Sequence, residues 1–159
     1  AESLLVHSGV PRERWGLYFD FFAVFARFEY ALARSKFLDD RGHITWKRAA
    51  RRFETEYPMD AGSLRKRIPI LFERPPKELK RRRSGVYWES IVEPSWSDAT
   101  LGFVYVKTGR NNLFPGGKWP EGQGYDAERD WELLTQSLTF IEFLLSRDQR
   151  LRKVFEEFR

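Results

Sequence analysis

Apolar residues recur at three- and four-residue steps in three long stretches of this chain, and each stretch predicts a helix with one buried face. The first runs from about Pro11 to Leu38. Trp15, Tyr18, Phe22, Phe25, Glu29 and Leu32 form its stripe, with Phe21, Phe28 and Ala31 alongside. Pro11 suits a first helical turn, Glu13 suits the positive helix end, and Asp39-Asp40-Arg41-Gly42 closes the element. So wide an apolar arc predicts a central helix. Glu29 is the exception, a carboxylate among rings. It calls for a basic partner: Arg27, a side chain from a neighbouring helix, or the arginine of a functional site.

A second helix is expected over Ile44 to Tyr57. Trp46, Ala49, Ala50, Phe53 and Tyr57 share one side, Lys47, Arg48, Arg51 and Arg52 the other, and Pro58 stops it. A shorter third helix covers Ala61 to Phe72, weakened by Pro69. After Pro75-Pro76 comes a basic run, Lys77 to Arg83. Gly85-Val86-Tyr87-Trp88 and Glu93-Pro94-Ser95-Trp96 then read as irregular, aromatic-pinned loop, with brief strand pairing over Val86 to Val92 as the weaker alternative. Asp98 is the expected N-cap of a helix from Ala99 to about Leu113, packed through Leu101, Val104, Tyr105 and Thr108. Trp119-Pro120 to Gly124 is a connection. Asp126 caps a final long helix striped by Trp131, Leu134, Leu138, Ile141 and Leu145, continued by Leu151, Val154, Phe155 and Phe158 after a kink near Ser146. No internal repeat is visible. The pattern predicts an all-α fold, residues 1–159 as a single bundle of four to five helices with an irregular aromatic loop before the fourth.

Composition sharpens this picture. With 14 Phe and 6 Trp, the chain has ample volume for one core. The lack of cysteine excludes disulfides, thiol nucleophiles and cysteine-ligated zinc, and suits a reducing, cytoplasmic setting. Asp20, Arg27 and Glu29 interrupt the greasiest segment, so no membrane span is expected, and nothing reads as a signal peptide. A net charge of +5 leans toward polyanions.

The candidate chemistry lies in Arg110-Asn111-Asn112-Leu113-Phe114-Pro115-Gly116-Gly117-Lys118. A guanidinium, two amides, a glycine turn and a lysine in so short a stretch suit a phosphodiester better than a core. Cutting RNA without a metal requires three things. The 2′-hydroxyl must lose a proton, the leaving 5′-oxygen must gain one, and the phosphorane charge must be neutralised. Histidine suits the proton steps, and arginine grips two phosphate oxygens while staying charged.

The nine residues closely resemble the active-site run of one branch of the HEPN superfamily of small helical ribonucleases, R-N-N-L-F-H-G-G-K. Looser agreement extends from Val104 to Asp130 and to the first helix. The resemblance implies a HEPN-like helical homodimer whose two motifs face each other across the subunit interface. It implies no cofactor and a product with a 2′,3′-cyclic phosphate. Members of that family include toxins of toxin–antitoxin pairs and phage-defence nucleases, so an antitoxin protein joins RNA as an expected partner. By the same resemblance Arg110 clamps phosphate and Asn111 is the polar residue beside it. Pro115 holds the position of the family histidine but has no titratable nitrogen. Lys118, Asn112, Arg81, Arg82 and Arg83 are candidate RNA contacts, and Glu29 is a candidate support for Arg110. His7 and His43 lie in other parts of the chain. The expectation is an endoribonuclease of the toxin or antiviral type, present as an inactive or strongly impaired His-to-Pro variant. The alternative is a noncatalytic RNA-binding or dimerisation module.

Overall fold

A computed structural model describes residues 12–60, 62–83, 85–113 and 127–157. The first apolar stretch forms helix α1, Trp15–Arg34, entered through a 3₁₀ turn over Arg12–Arg14. Its buried face carries Phe21, Phe25, Phe28, Ala31 and Leu32, whereas Phe22 is half exposed. The face is thus rotated from the expected stripe toward the Phe21–Phe28 line. The chain then turns sharply, with the Asp39 carboxylate accepting the amides of Arg41 and His43 at 2.9 and 2.8 Å. Helix α2, Trp46–Glu56, follows and buries Ala49, Ala50 and Phe53.

Residues expected to form one third helix form two short ones, α3 over Ser63–Arg67 and α4 over Pro69–Glu73. Ile68 separates them at φ −131° and ψ 58°. The proline ring after it disfavours helical backbone at Ile68 and then opens the next helix from its own first position. Leu64, Ile68 and Leu71 still reach the core.

The basic run forms the first of two paired strands. Strand β1, Lys77–Arg82, pairs antiparallel with β2, Gly85–Ser90, from Lys77 opposite Ser90 to Arg82 opposite Gly85. The weaker alternative, strand pairing, thus holds for Gly85–Ser90, whereas Glu93-Pro94-Ser95-Trp96 is irregular as expected; the protein is mostly helical, consistent with the all-α class, with one two-stranded sheet among the described residues. Alternation explains the pairing. Lys77, Leu79 and Arg81 share one face with Trp88 and Ser90, and Glu78 and Lys80 share the other with Tyr87 and Glu89. Gly85 takes φ +131°, a value open to glycine where the strands reverse.

Helix α5 spans Asp98–Leu113. Its N-cap is Ser97, not Asp98. The Ser97 hydroxyl accepts the Thr100 amide at 3.1 Å, and its carbonyl accepts the Leu101 amide at 2.9 Å. Asp98 instead receives Arg65, with Nε 2.9 and 3.0 Å from its two oxygens. Helix α6, Ala127–Arg147, buries Leu133, Leu134, Ser137, Phe140, Ile141, Phe143 and Leu144, while Trp131 is 36% exposed. The break falls at Asp148, two residues beyond the expected kink. That buried carboxylate accepts the amides of Arg150 and Leu151, each at 3.0 Å, and so caps α7, Gln149–Glu156. Pro11, Asp126 and Phe158 lie outside the described residues.

Helix α1 packs on α6 and α7, and α2 packs on α5. Their shared interior is aromatic, centred on Phe103 of α5. Its ring lies 6.2 Å from Phe28, 6.4 Å from Trp46, 6.4 Å from Phe53 and 5.3 Å from Phe140, the last edge-on at 85°. Gly102 permits that approach, because a Cβ there would stand 2.9 Å from two atoms of the Phe140 ring. Helix propensity alone favours alanine over glycine by about 1 kcal/mol. At this position the buried ring reverses the preference, since overpacking typically costs about 1–3 kcal/mol. Gly102→Ala is therefore expected to lower stability by about 1–2 kcal/mol, read as a lower urea midpoint at unchanged slope.

Candidate functional site

Arg110 sits seven residues after Phe103, two turns further along the same face of α5. The rings give way there to the edge of the bundle. Its guanidinium is 36% exposed and held from three sides. One terminal nitrogen donates to Glu29 Oε2 of α1 at 3.1 Å, and the other donates to Asn111 Oδ1 at 2.9 Å. The Phe25 ring lies against it, 5.4 Å from centroid to Cζ. These bonds use two of the five N–H donors of the fork. Among the described residues the other three have no acceptor.

Glu29 thus meets a basic side chain from a neighbouring helix, and that side chain is the arginine of the motif. Its carboxyl titrates above the ordinary glutamate value. Burial is the largest cause, opposed by the charge and hydrogen bond of Arg110 and then by the charge of Lys107. For the carboxylate, burial therefore outweighs the attraction of its cationic neighbours. What the pair supplies is position. An arginine tethered to a fixed acid and laid on a ring loses little further freedom when an anion arrives.

Asn111 is exposed and orients Arg110. Asn112 points elsewhere: its Nδ2 donates to the Lys77 carbonyl at 2.8 Å, tying the last turn of α5 to the root of the hairpin. The tether had no signal in the sequence, because the acceptor is backbone 35 residues away. Phe25 and Lys107 also went unremarked as neighbours of Arg110, although the one-turn spacing from Phe25 to Glu29 places both on one face. Pro115, Lys118 and His7 lie outside the described residues. His43 is exposed, in the turn before α2, with its Nδ1 3.7 Å from Asp39.

The basic runs at 47–52, 65–67 and 77–83 differ. Lys47 lies over Trp96, and Arg52 lies over Phe37 while bonding Glu56 at 2.8 Å. Arg65 holds Asp98 and covers Phe72, and Arg67 covers Phe143. Those cations serve the fold. At the far end of the hairpin, Arg81, Arg82 and Arg83 are exposed, and no described carboxylate lies within ion-pairing reach of them. Among the described residues no group of three or more His, Asp or Glu side chains is placed to hold a metal ion. No helix among them is long and apolar enough to cross a membrane.

The geometry is that of a partly exposed, pre-oriented guanidinium near the end of α5, with three N–H donors unused among the described residues. The titration of Glu29 gives a test. A raised folded value means that its contribution to stability is present below the ordinary glutamate value and lost as pH rises through the folded one. The stability of the wild type minus that of Glu29→Gln should accordingly fall with rising pH across that window and then level off, by urea titration at each pH. A difference that rises with pH would show the ion pair outweighing burial. No family model matches the chain, and no curated protein or solved structure does so either.

Proposed function

We propose that the chain is a HEPN-type endoribonuclease of the toxin or antiviral class, carried here with its proton-transfer position filled by proline. The observation that carries the reading is the state of Arg110. The residue that the motif assigns to phosphate is partly exposed, oriented by Glu29 and Asn111, and free to donate three further hydrogen bonds among the described residues. An arginine kept only for an internal salt bridge would need neither Asn111 nor the exposure.

The chemistry divides among the residues as follows. Arg110 neutralises the charge that builds on the phosphorane, in a site partly shielded from water where such donors count for more. Asn111 fixes the plane of the fork. Glu29 anchors it from behind. Proton transfer from the 2′-hydroxyl and to the 5′-oxygen falls to the side chain at position 115, and proline cannot do it. The site is completed by a second copy, so that two Arg110 corners face one RNA strand. Pro115 also favours a second reading, a noncatalytic module that keeps the RNA-binding corner without the cut.

Replacing Pro115 by His is expected to raise RNA cleavage by on the order of 10²–10⁴, with a 2′,3′-cyclic phosphate on the product. Arg110→Ala in that background should remove the gain. A folded Pro115→His chain that leaves RNA intact rejects the enzyme reading and leaves the binding module. Sedimentation equilibrium should give about twice the 19.0 kDa of one chain, and a monomer at micromolar concentration would exclude the paired site.

A further inference from the structure

We propose that the β1–β2 hairpin is an arm that grips single-stranded RNA and feeds it to the Arg110 corner. The proposal rests on the ribonuclease reading for the identity of the polyanion. Three observations carry it. The first is the distribution of charge. Glu78 and Glu89 stand opposite one another near the root, and Glu78 takes Lys80 at 2.5 Å. Toward the turn no carboxylate among the described residues pairs with the cations: Arg81 and Arg82 stand opposite Val86 and Gly85 in the register, and Arg83 follows. Three adjacent guanidiniums repel one another, and among the described residues no carboxylate offsets that. A phosphate chain does.

The second observation concerns Arg82. Its Cζ lies 4.0 Å from the centre of the Tyr87 ring, directly over the face. One side of the guanidinium is thereby occupied and its plane fixed. Arg82 is exposed among the described residues, so its other side can stack on an unpaired base, as arginine planes do in recognition of single strands. Bases inside a duplex cannot reach it, so the ligand is single-stranded. The third is the tether from Asn112 to Lys77, which fixes the root of the arm to the turn of α5 that carries Arg110. Five strand steps separate Lys77 from Arg82, about 17 Å. A strand held at the tip therefore runs back along the hairpin toward the corner.

The test measures binding with the chain as it stands, Pro115 included, using a short mixed-sequence RNA, its duplex and poly-glutamate as probes across a range of salt. Replacing Arg81, Arg82 and Arg83 by Ala is expected to weaken single-strand binding by about ten- to hundredfold at low salt. The slope of log affinity against log salt should become shallower by about 2, since each phosphate contact on a single strand counts for about 0.7. Arg82→Lys keeps the charge and guards against a misfolded triple variant. It should leave the slope unchanged yet weaken single-strand binding about five- to tenfold through lost stacking, with duplex binding unaltered. Unchanged affinity and slope in the triple variant overturns the arm, as does poly-glutamate binding as tight as that of RNA. Equal effects of Arg82→Lys on duplex and single strand overturn it too. The two readings fail separately. A Pro115→His chain that cuts while its tip variants bind normally loses only the arm, and one that does not cut while its tip variants lose RNA loses only the nuclease.

Discussion

The ring of Phe103 is the contact on which the arrangement turns. It meets Phe28 of α1, Trp46 and Phe53 of α2, and Phe140 of α6, and so joins four helices at one point. Gly102 lets α6 come close enough for the Phe140 edge to reach it. Once that cluster is set, the axis of α5 is fixed, and everything on its last two turns follows. Arg110 is about 10 Å further along the same face, beyond the reach of the core but still against Phe25.

At that boundary the fold accepts a carboxylate on an apolar stripe. Glu29 lies on the same helix as Phe25 and Phe28, and burial raises its carboxyl more than Arg110 and Lys107 lower it. The acid in turn holds the arginine, whose long stem would otherwise sample many rotamers in water.

Much of this was legible in the chain. The periodic aromatic stretches located α1, α2, α5 and α6, and the oddity of Glu29 among Phe22, Phe25 and Leu32 pointed to a basic partner. What periodicity could not give was the rotation of each face. Phe22 and Trp131 fit the spacing of a stripe yet lie half or one-third exposed, while Ser137 is buried by returning its hydroxyl to the Leu133 carbonyl at 2.7 Å. Ser97 and Asp98 are both good caps, and only the reach of Arg65 decides between them. The hairpin was hidden because Lys and Arg carry little strand preference, although alternation with Leu79, Tyr87 and Trp88 was present. Of the candidate site, the juxtaposition of Arg110 with Glu29 could be anticipated from chemistry. The Asn112 tether could not, since a backbone carbonyl carries no side-chain signature.

The handover at Asp148 has a bearing on biosynthesis. By ending α6 and capping α7, it sends the chain back along α1, where Leu151 is 2% exposed. The first of the described α-helices is thus sealed by the last of them. A nascent chain on the ribosome keeps one flank of α1 open until Leu151 has cleared the exit tunnel, and its interior closes only then. For a protein whose proposed activity endangers the cell that makes it, this order of folding delays the assembled site until α7 has emerged.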